Sequence, residues 1–347
     1  MAHRNLPAKD LLTQLKKSAS GPLTSATGAD PALYWNENIA TAEDSNIFRK
    51  DWVCPGLAAE IPKQGDYLTF SIAGEPIFCI RSKSGDIKTY SNVCRHRMMQ
   101  LLDGTGTTSK VVCPYHAWTY DLNGELMGAG HMEKSTSFDR RKICLPQIRT
   151  EIWNGWIYVT LNPEAMSVSD ALSPLHDVVK RYKMENYVPV LSENHVWKTN
   201  WKLLTENFME GYHLPIAHKA TVGAWFALEE TVFPENNYDS FTYQTFVKTG
   251  NPIYGQAHPH NINLKNEWRN TSVLPTVFPT HMYVLAPDHL WYLSLRPKGV
   301  GEVEIRFGAA IAPEVDATLS DADERAAWID SLMVFFKHVN SEDRQVV

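Results

Sequence analysis

The sequence predicts an α+β protein, and three observations carry the prediction. From residue 45 to 162, short β-branched and aromatic runs are separated by turn residues. Beyond 163, helical stretches alternate with strand-like runs. The last of these patterns, Asp321 to Val339, places Ala326, Ile329, Met333 and Phe336 on one helical face. A length of 347 residues suits about two domains. The expected division is an N-terminal arm over 1–44, a small antiparallel β domain over 45–162, and an antiparallel sheet covered by helices over 163–347.

Composition narrows the function classes. Hydrophobic residues make up 44% and charged residues 21%, an ordinary globular balance. A net charge of −6 argues against a nucleic-acid partner, which calls for a clustered positive field. The apolar run Leu332 to Phe336 is far short of the roughly 18 to 20 residues of a membrane span, so no membrane association is expected. Met1 to Pro7 lacks the apolar core of a secretory signal. Five cysteines are an odd number and a poor disulfide framework, which points to a reducing, cytoplasmic setting.

In chain order, Leu11, Leu12 and Leu15 among Lys9, Lys16 and Lys17 predict one short amphipathic helix in the arm. Strands are expected at Tyr67–Ile72, Pro76–Arg81, Ile87–Val93, Lys110–Cys113 and Trp153–Leu161. Asn123-Gly124 reads as a two-residue hairpin turn. Val168 to Tyr187 reads as helix interrupted by a proline, and Trp201 to Tyr212 as a stronger one. Tyr238–Lys248, His281–Ala286, Leu290–Arg296 and Glu302–Ile311 alternate like strands.

Two loops bear the first chemistry. Cys94-Arg95-His96 and Cys113-Pro114-Tyr115-His116, with sixteen residues between them, each offer one thiolate and one imidazole. Zinc would accept this set in a tetrahedron, whichever loop gave which ligand. A Rieske [2Fe–2S] centre needs two thiolates on one iron and two imidazoles on the other, and one Cys and one His per loop match that split. The flanks, Asn92 to Arg97 and Cys113 to Tyr120 followed by Gly124, resemble the Rieske pattern, with Met98 and Ala117 where glycine is common. Cys54, Cys79 and Cys144 have no partner at metal spacing and read as buried small apolar residues.

The second chemistry lies in Asn200 to His218. On a helix, Glu210 and His213 would share a face, and His218 would sit about 140° from His213. Pro215 disfavours helix at Leu214, so the helix is expected to end near His213 and the chain to turn back, letting both imidazoles meet one metal. Two histidines and a carboxylate on one face leave positions open, as in non-haem Fe(II) oxygenases. The bland alternative is a pair of helix-end histidines satisfied by hydrogen bonds.

Over most of its length the chain resembles the large (α) subunit of a Rieske non-haem iron oxygenase. The resemblance implies that Cys94, His96, Cys113 and His116 hold the [2Fe–2S] cluster. It implies that His213 and His218 bind a mononuclear Fe(II) and that Glu210 links the two centres across a subunit boundary. The third iron ligand is an Asp on the late helix; Asp343 matches best and Asp330 is the fallback. The family usually continues that helix, whereas this chain stops four residues past Asp343, so a truncated end is expected. A START/SRPBCC-like catalytic domain and a homotrimer follow from the same resemblance. No Gly-x-Gly-x-x-Gly follows a strand, so electrons are expected from a separate flavin or iron–sulfur reductase, with or without a ferredoxin.

Glu210 also bears on the substrate. Ring dihydroxylases commonly have Asp there, and Glu resembles relatives that act on quaternary amines such as carnitine and betaines. A fixed cation calls for aromatic rings; Trp225, Phe226, Tyr254, Trp268, Tyr283, Trp291 and Tyr292 are the candidates, each with core packing as its bland reading. His258, His260, His281 and His289 read as surface or structural. Oxidative N-demethylation or hydroxylation of a methylated amine is the leading expectation. Hydroxylation of an aromatic ring or aromatic acid is the enzymatic alternative, and a zinc-stabilised binding module the non-enzymatic one.

Overall fold

The computed structural model describes residues 7–132, 134–225, 228–248, 252–319 and 321–347. The chain forms two compact units, one over 49–189 and the other from 1–48 together with 190–347. The expected boundaries thus shift at both joins. The arm belongs with the C-terminal unit and residues 163–189 with the β unit.

Three helices open the chain: α1 (Ala8–Ala19), α2 (Ala32–Trp35) and α3 (Glu37–Glu43). Leu11, Ala32, Leu33 and Ile39 form their own small core. Polar contacts tie the arm to the C-terminal unit: the Tyr34 hydroxyl donates to Glu206, Asn200 Nδ2 to the Tyr34 carbonyl, and the Trp201 indole to Glu43. Composition alone could not reveal partners so far away in sequence.

The 49–189 unit holds β1 (Val53–Leu57), β2 (Asp66–Ile72), β3 (Glu75–Arg81), β4 (Ile87–Ser91), β5 (Thr105–Thr107), β6 (Val111–Val112), β7 (Thr119–Tyr120), β8 (Leu126–Gly128), β9 (Gln147–Trp153) and β10 (Trp156–Thr160). Seven strands pair in the order β1-β10-β9-β4-β3-β2-β5, and β6-β7-β8 form a smaller sheet. Two expectations are corrected here. Trp153–Leu161 is not one strand: Asn154 and Gly155, with φ of 46° and 87°, turn β9 into β10, the left-handed pair a two-residue hairpin needs. At Asn123-Gly124 the loop is longer, because Asp121 N donates to the Glu125 carbonyl and Gly124 N to the Asp121 carbonyl. The Asp121 side chain, accepting from the N–H groups of Asn123 and Glu125, favours this wider turn. Helices α4 (Val168–Ala171) and α5 (Ser173–Val179) follow, the second opening on a proline.

The C-terminal unit is built on β11 (Val188–Trp197), β12 (Phe241–Val247), β13 (Thr271–Val277), β14 (His281–Leu285), β15 (His289–Pro297) and β16 (Val303–Ile311), in the order β11-β16-β15-β14-β13-β12. The pairings β12–β13, β13–β14, β14–β15 and β15–β16 are antiparallel. Helices α6 (Trp201–Phe208), α7 (Leu214–Ala217), α8 (Pro313–Asp316) and α9 (Ala322–Asp343) complete the α+β architecture. Strand β13, which contains Pro275, is not among the runs expected from the sequence. Helix α9 runs past the expected Val339 to Asp343, and is started by Asp321, whose side chain accepts from the N–H groups of Asp323 and Glu324. Among the described residues, no helix is long and apolar enough to cross a membrane.

Candidate metal centres

The two Cys/His loops share one backbone design. In the first, Met98 N donates to the Cys94 carbonyl and Cys94 N to the Met99 carbonyl; in the second, Ala117 N donates to the Cys113 carbonyl and Cys113 N to the Trp118 carbonyl. Each loop therefore closes four to five residues after its cysteine, through a residue in the left-handed region. Those residues are Met98 (φ 58°) and Ala117 (φ 55°), the two positions where the sequence departs from glycine. The loop geometry survives the substitution, at a cost of about 1 kcal/mol per site.

The loops sort their ligands by depth. Cys94 and Cys113 are buried, whereas His96 and His116 are exposed, their rings 4.8 Å apart between centroids. His96 stacks on Trp118 at 4.7 Å, which orients it. Tyr120 places its hydroxyl 3.4 Å from Cys94 Sγ and accepts from Arg95 N. Burial, helped by the Cys94 contact, pushes that phenol's pKa up. One tetrahedral zinc would gather four donors within about 4 Å of one another. Among the described residues, the group of three or more donors gathered within 4.8 Å is His213, His218 and Asp343, not the loop quartet. Paired inner thiols and paired outer imidazoles fit a two-iron cluster better than one zinc. Of the other cysteines, Cys54 and Cys79 are buried as expected, but Cys144 is exposed. It precedes the buried Leu145 in an extended segment, and alternation turns it outward.

The second centre corrects the expected helix. Asn200 caps α6 by accepting from Lys202 N, but α6 ends at Phe208, so Glu210 and His213 are not on its face. They meet through a turn instead: the Glu210 carboxylate accepts from the N–H groups of Tyr212 and His213 and contacts His213 Nδ1. Pro215 does not merely stop a helix but helps open α7, with His213 at its N-cap and His218 at its C-cap. That short helix sets the imidazole rings 5.2 Å apart.

Asp343, at the end of α9, completes the group. Its Oδ1 lies 2.9 Å from His218 Nε2 and 3.6 Å from His213 Nε2, and accepts from Asn207 Nδ2 at 2.9 Å. Asp330 is exposed, about 20 Å back along the same helix. Sequence reasoning missed Glu342, whose Oε2 lies 2.8 Å from His218 Nδ1 and accepts from the Thr221 hydroxyl. Its adjacency to Asp343 was the available signal. Burial pushes both imidazoles toward the neutral form, yet Asp343 with Glu210 or Glu342 outweighs it and raises both pKa values. Burial likewise raises Asp343, but its hydrogen bonds to the two histidines prevail and pull it down to about 2. Two imidazoles and a carboxylate, each oriented by a further polar group, form a donor set for a divalent transition metal with open positions.

These residues border a cavity. Trp225, Tyr254 and Trp291 line it, as do His289 and Lys248. Tyr283 and Tyr292 are instead fully buried core residues; Trp268 is not in the lining, and Phe226 lies outside the described residues. His281 is buried in the sheet, and His289 is buried with its Nδ1 against Asp288. His258 and His260 meet edge to face and are not in the cavity lining.

The partly buried His213–His218–Asp343 group in a helix-covered sheet and the Cys/His loop pair in a small β unit are the donor sets that a Rieske-type iron oxygenase needs. Residues 51–142 match the Rieske [2Fe-2S] domain and residues 184–347 the catalytic domain of the ring hydroxylating alpha subunit. The chain thus matches, in order, a Rieske [2Fe-2S] domain and a ring hydroxylating alpha subunit catalytic domain, the domain pair of a Rieske non-haem iron oxygenase large subunit. It is 34% identical over 206 residues to the glycine betaine monooxygenase oxygenase subunit of Chromohalobacter salexigens, covering 59% of this chain and 46% of the relative. It is 35% identical over 189 residues to the carnitine monooxygenase oxygenase subunit of Escherichia coli K12, covering 54% and 50%. The matches thus span about half the length of these curated relatives. In fold it is similar to a quaternary ammonium Rieske monooxygenase involved in carnitine oxidation, with a TM-score of 0.77 at 20% identity, over 91% of this chain and 82% of that one.

Proposed function

We propose that the chain is the oxygenase component of a multicomponent system that oxidises a methylated quaternary amine. One N-methyl group takes one oxygen atom from O₂, two electrons and two protons reduce the other to water, and the hydroxymethyl group leaves as formaldehyde. The observation that carries this reading is the His213–His218–Asp343 group bordering a cavity lined by Trp225, Tyr254 and Trp291. The similarity to carnitine and glycine betaine oxygenase subunits supports the substrate class.

When bound, the iron supplies oxygen activation and one electron, and the cluster the second electron. His213, His218 and Asp343 are the proposed iron ligands, and Cys94, His96, Cys113 and His116 the proposed cluster ligands. Glu210 and Glu342 hold the two iron-site imidazoles by the nitrogen that faces away from Asp343. The Glu210 side chain is 43% exposed, so it remains reachable by a cluster-ligand imidazole of an adjacent protomer. This is the role proposed for it in a homotrimer. A separate reductase supplies the electrons. Aromatic walls exclude water, which limits loss of reactive oxygen species, and their faces suit an onium group.

The test is coupled O₂ uptake and formaldehyde release with trimethylammonium compounds and aromatic acids. His213→Ala should abolish turnover and leave the Rieske absorption intact, whereas Glu210→Gln should keep both metals and slow electron transfer between them. Full activity in either variant counts against the assigned role, and a ring diol without formaldehyde counts against the amine.

A further inference from the structure

His289 is a buried imidazole in the cavity lining that the proposed iron site does not use. Its Nδ1 lies 2.7 Å from Asp288 Oδ1, and its ring meets Tyr254 edge to face at 6.2 Å and Phe336 at 5.3 Å. A carboxylate and two aromatic neighbours thus hold the ring in one place. Nε2 has no partner among the described residues, yet it is not one of the partnerless polar atoms that the fold seals off. The side chain keeps 4% of its surface, and because His289 lines the cavity, Nε2 opens on that space.

Asp288 decides which way Nε2 works. Its Oδ2 accepts from Gly255 N at 2.7 Å. Burial favours the protonated acid, but His289, Lys248 and that N–H outweigh it and hold the Asp288 pKa below its ordinary value. An ionised carboxylate can only accept, so Nδ1 carries the proton and Nε2 of the neutral ring is left as an acceptor. Lys248 lends Asp288 a positive neighbour, so the imidazole need carry no charge of its own.

A run of rings leads from His289 to the metal end. Phe336 packs on it, Trp291 lies 6.0 Å from Phe336, and Phe208 lies 5.8 Å from Trp291. Phe208 follows Asn207, which donates to Asp343 Oδ1. Along α9, Phe336 precedes Asp343 by seven residues on the same face, two turns or about 10 Å. His289 is therefore no iron ligand; it stands beside the part of a bound molecule that does not react.

We infer that His289 is a specificity-determining residue, its Nε2 accepting a hydrogen bond from a hydroxyl that the substrate carries away from the oxidised carbon. Asp288 is the positioning residue that fixes the tautomer. Resting on the amine reading, this adds a preference within it, a hydroxylated chain over a plain one.

Anaerobic equilibrium dialysis of the holoenzyme tests this with three probes. Carnitine carries the hydroxyl, 4-(trimethylammonio)butanoate lacks it, and the O-methyl ether of carnitine can accept but not donate. The wild type should bind carnitine about three- to tenfold more tightly than either of the others. His289→Phe should lose that preference while binding the plain chain as the wild type does, which also shows that its cavity is folded. Asp288→Asn keeps the shape and reverses the chemistry. Its oxygen is required by Gly255 N, so its amide N–H faces Nδ1 and Nε2 becomes a donor. The ether should then bind within about twofold of carnitine, an exchange that a merely structural pair would not produce. A hydroxyl preference that survives in His289→Phe, or an ether still disfavoured in Asp288→Asn, overturns the assignment and leaves the amine reading standing. A wild type that binds all three probes equally does the same, whether or not the variants fold. A wild type that binds none overturns both.

Discussion

At the scale of single residues, the iron site depends on carboxylates that do not themselves complete the metal triad. Glu342 holds His218 Nδ1 and accepts from Thr221, so its removal should loosen the imidazole without deleting a ligand. Glu342→Ala should lower iron affinity about 10- to 100-fold, read by metal content after dialysis against a chelator, with the Rieske spectrum unchanged. The two histidines also set a pH dependence. In the metal-free protein their pKa values are raised, so the stability they contribute is fully present below their unfolded value of about 6.5 and is lost as pH rises through the raised folded values. Metal needs both imidazoles neutral, so Co(II) titration of metal-free protein should show affinity rising with pH through that same window. The ligand types and their order were legible because soft and borderline donors at tight spacing have few other uses. Glu342 was not, because a carboxylate gains this meaning only when a helix end brings it to a histidine more than a hundred residues away.

Among the elements, what the sequence disclosed followed how local the cause was. Strands β2, β3 and β4 were readable from alternation and their turns. The end of α6 differs from the expected one: α6 stops at Phe208, and Pro215 lies in the first turn of α7, where a proline is at home, instead of ending α6. Two Asn-Gly pairs show the same limit. Asn154-Gly155 makes the tight turn, while Asp121 converts Asn123-Gly124 into a longer loop with Gly124 at φ 79°. A Cβ on Gly124 would also sit 2.8 Å from Tyr90 Cε1. Gly124→Ala should therefore destabilise the 49–189 unit by about 1–3 kcal/mol, visible as a lower thermal midpoint for loss of the Rieske signal. By contrast Met98 and Ala117 already occupy left-handed positions, so the loops tolerate there what the Gly124 turn has no space for.

For the molecule as a whole, α+β class and the identity of both centres were legible, but the membership of each unit was not. Residues 1–48 join the C-terminal unit through Tyr34, Glu43 and the small core around Leu11. Removing 1–48 should lower the thermal midpoint of the catalytic unit and leave the Rieske circular dichroism of the other unit unchanged; an unaltered midpoint would show that the arm contributes nothing to stability. The same layout has a temporal consequence during translation. Everything in the 49–189 unit has left the ribosome while the catalytic unit still lacks most of its sheet. Asp343 emerges only after the whole of that sheet. The two Cys/His loops are thus complete in the nascent chain well before the His213–His218–Asp343 group is, so synthesis presents the two donor sets in that order.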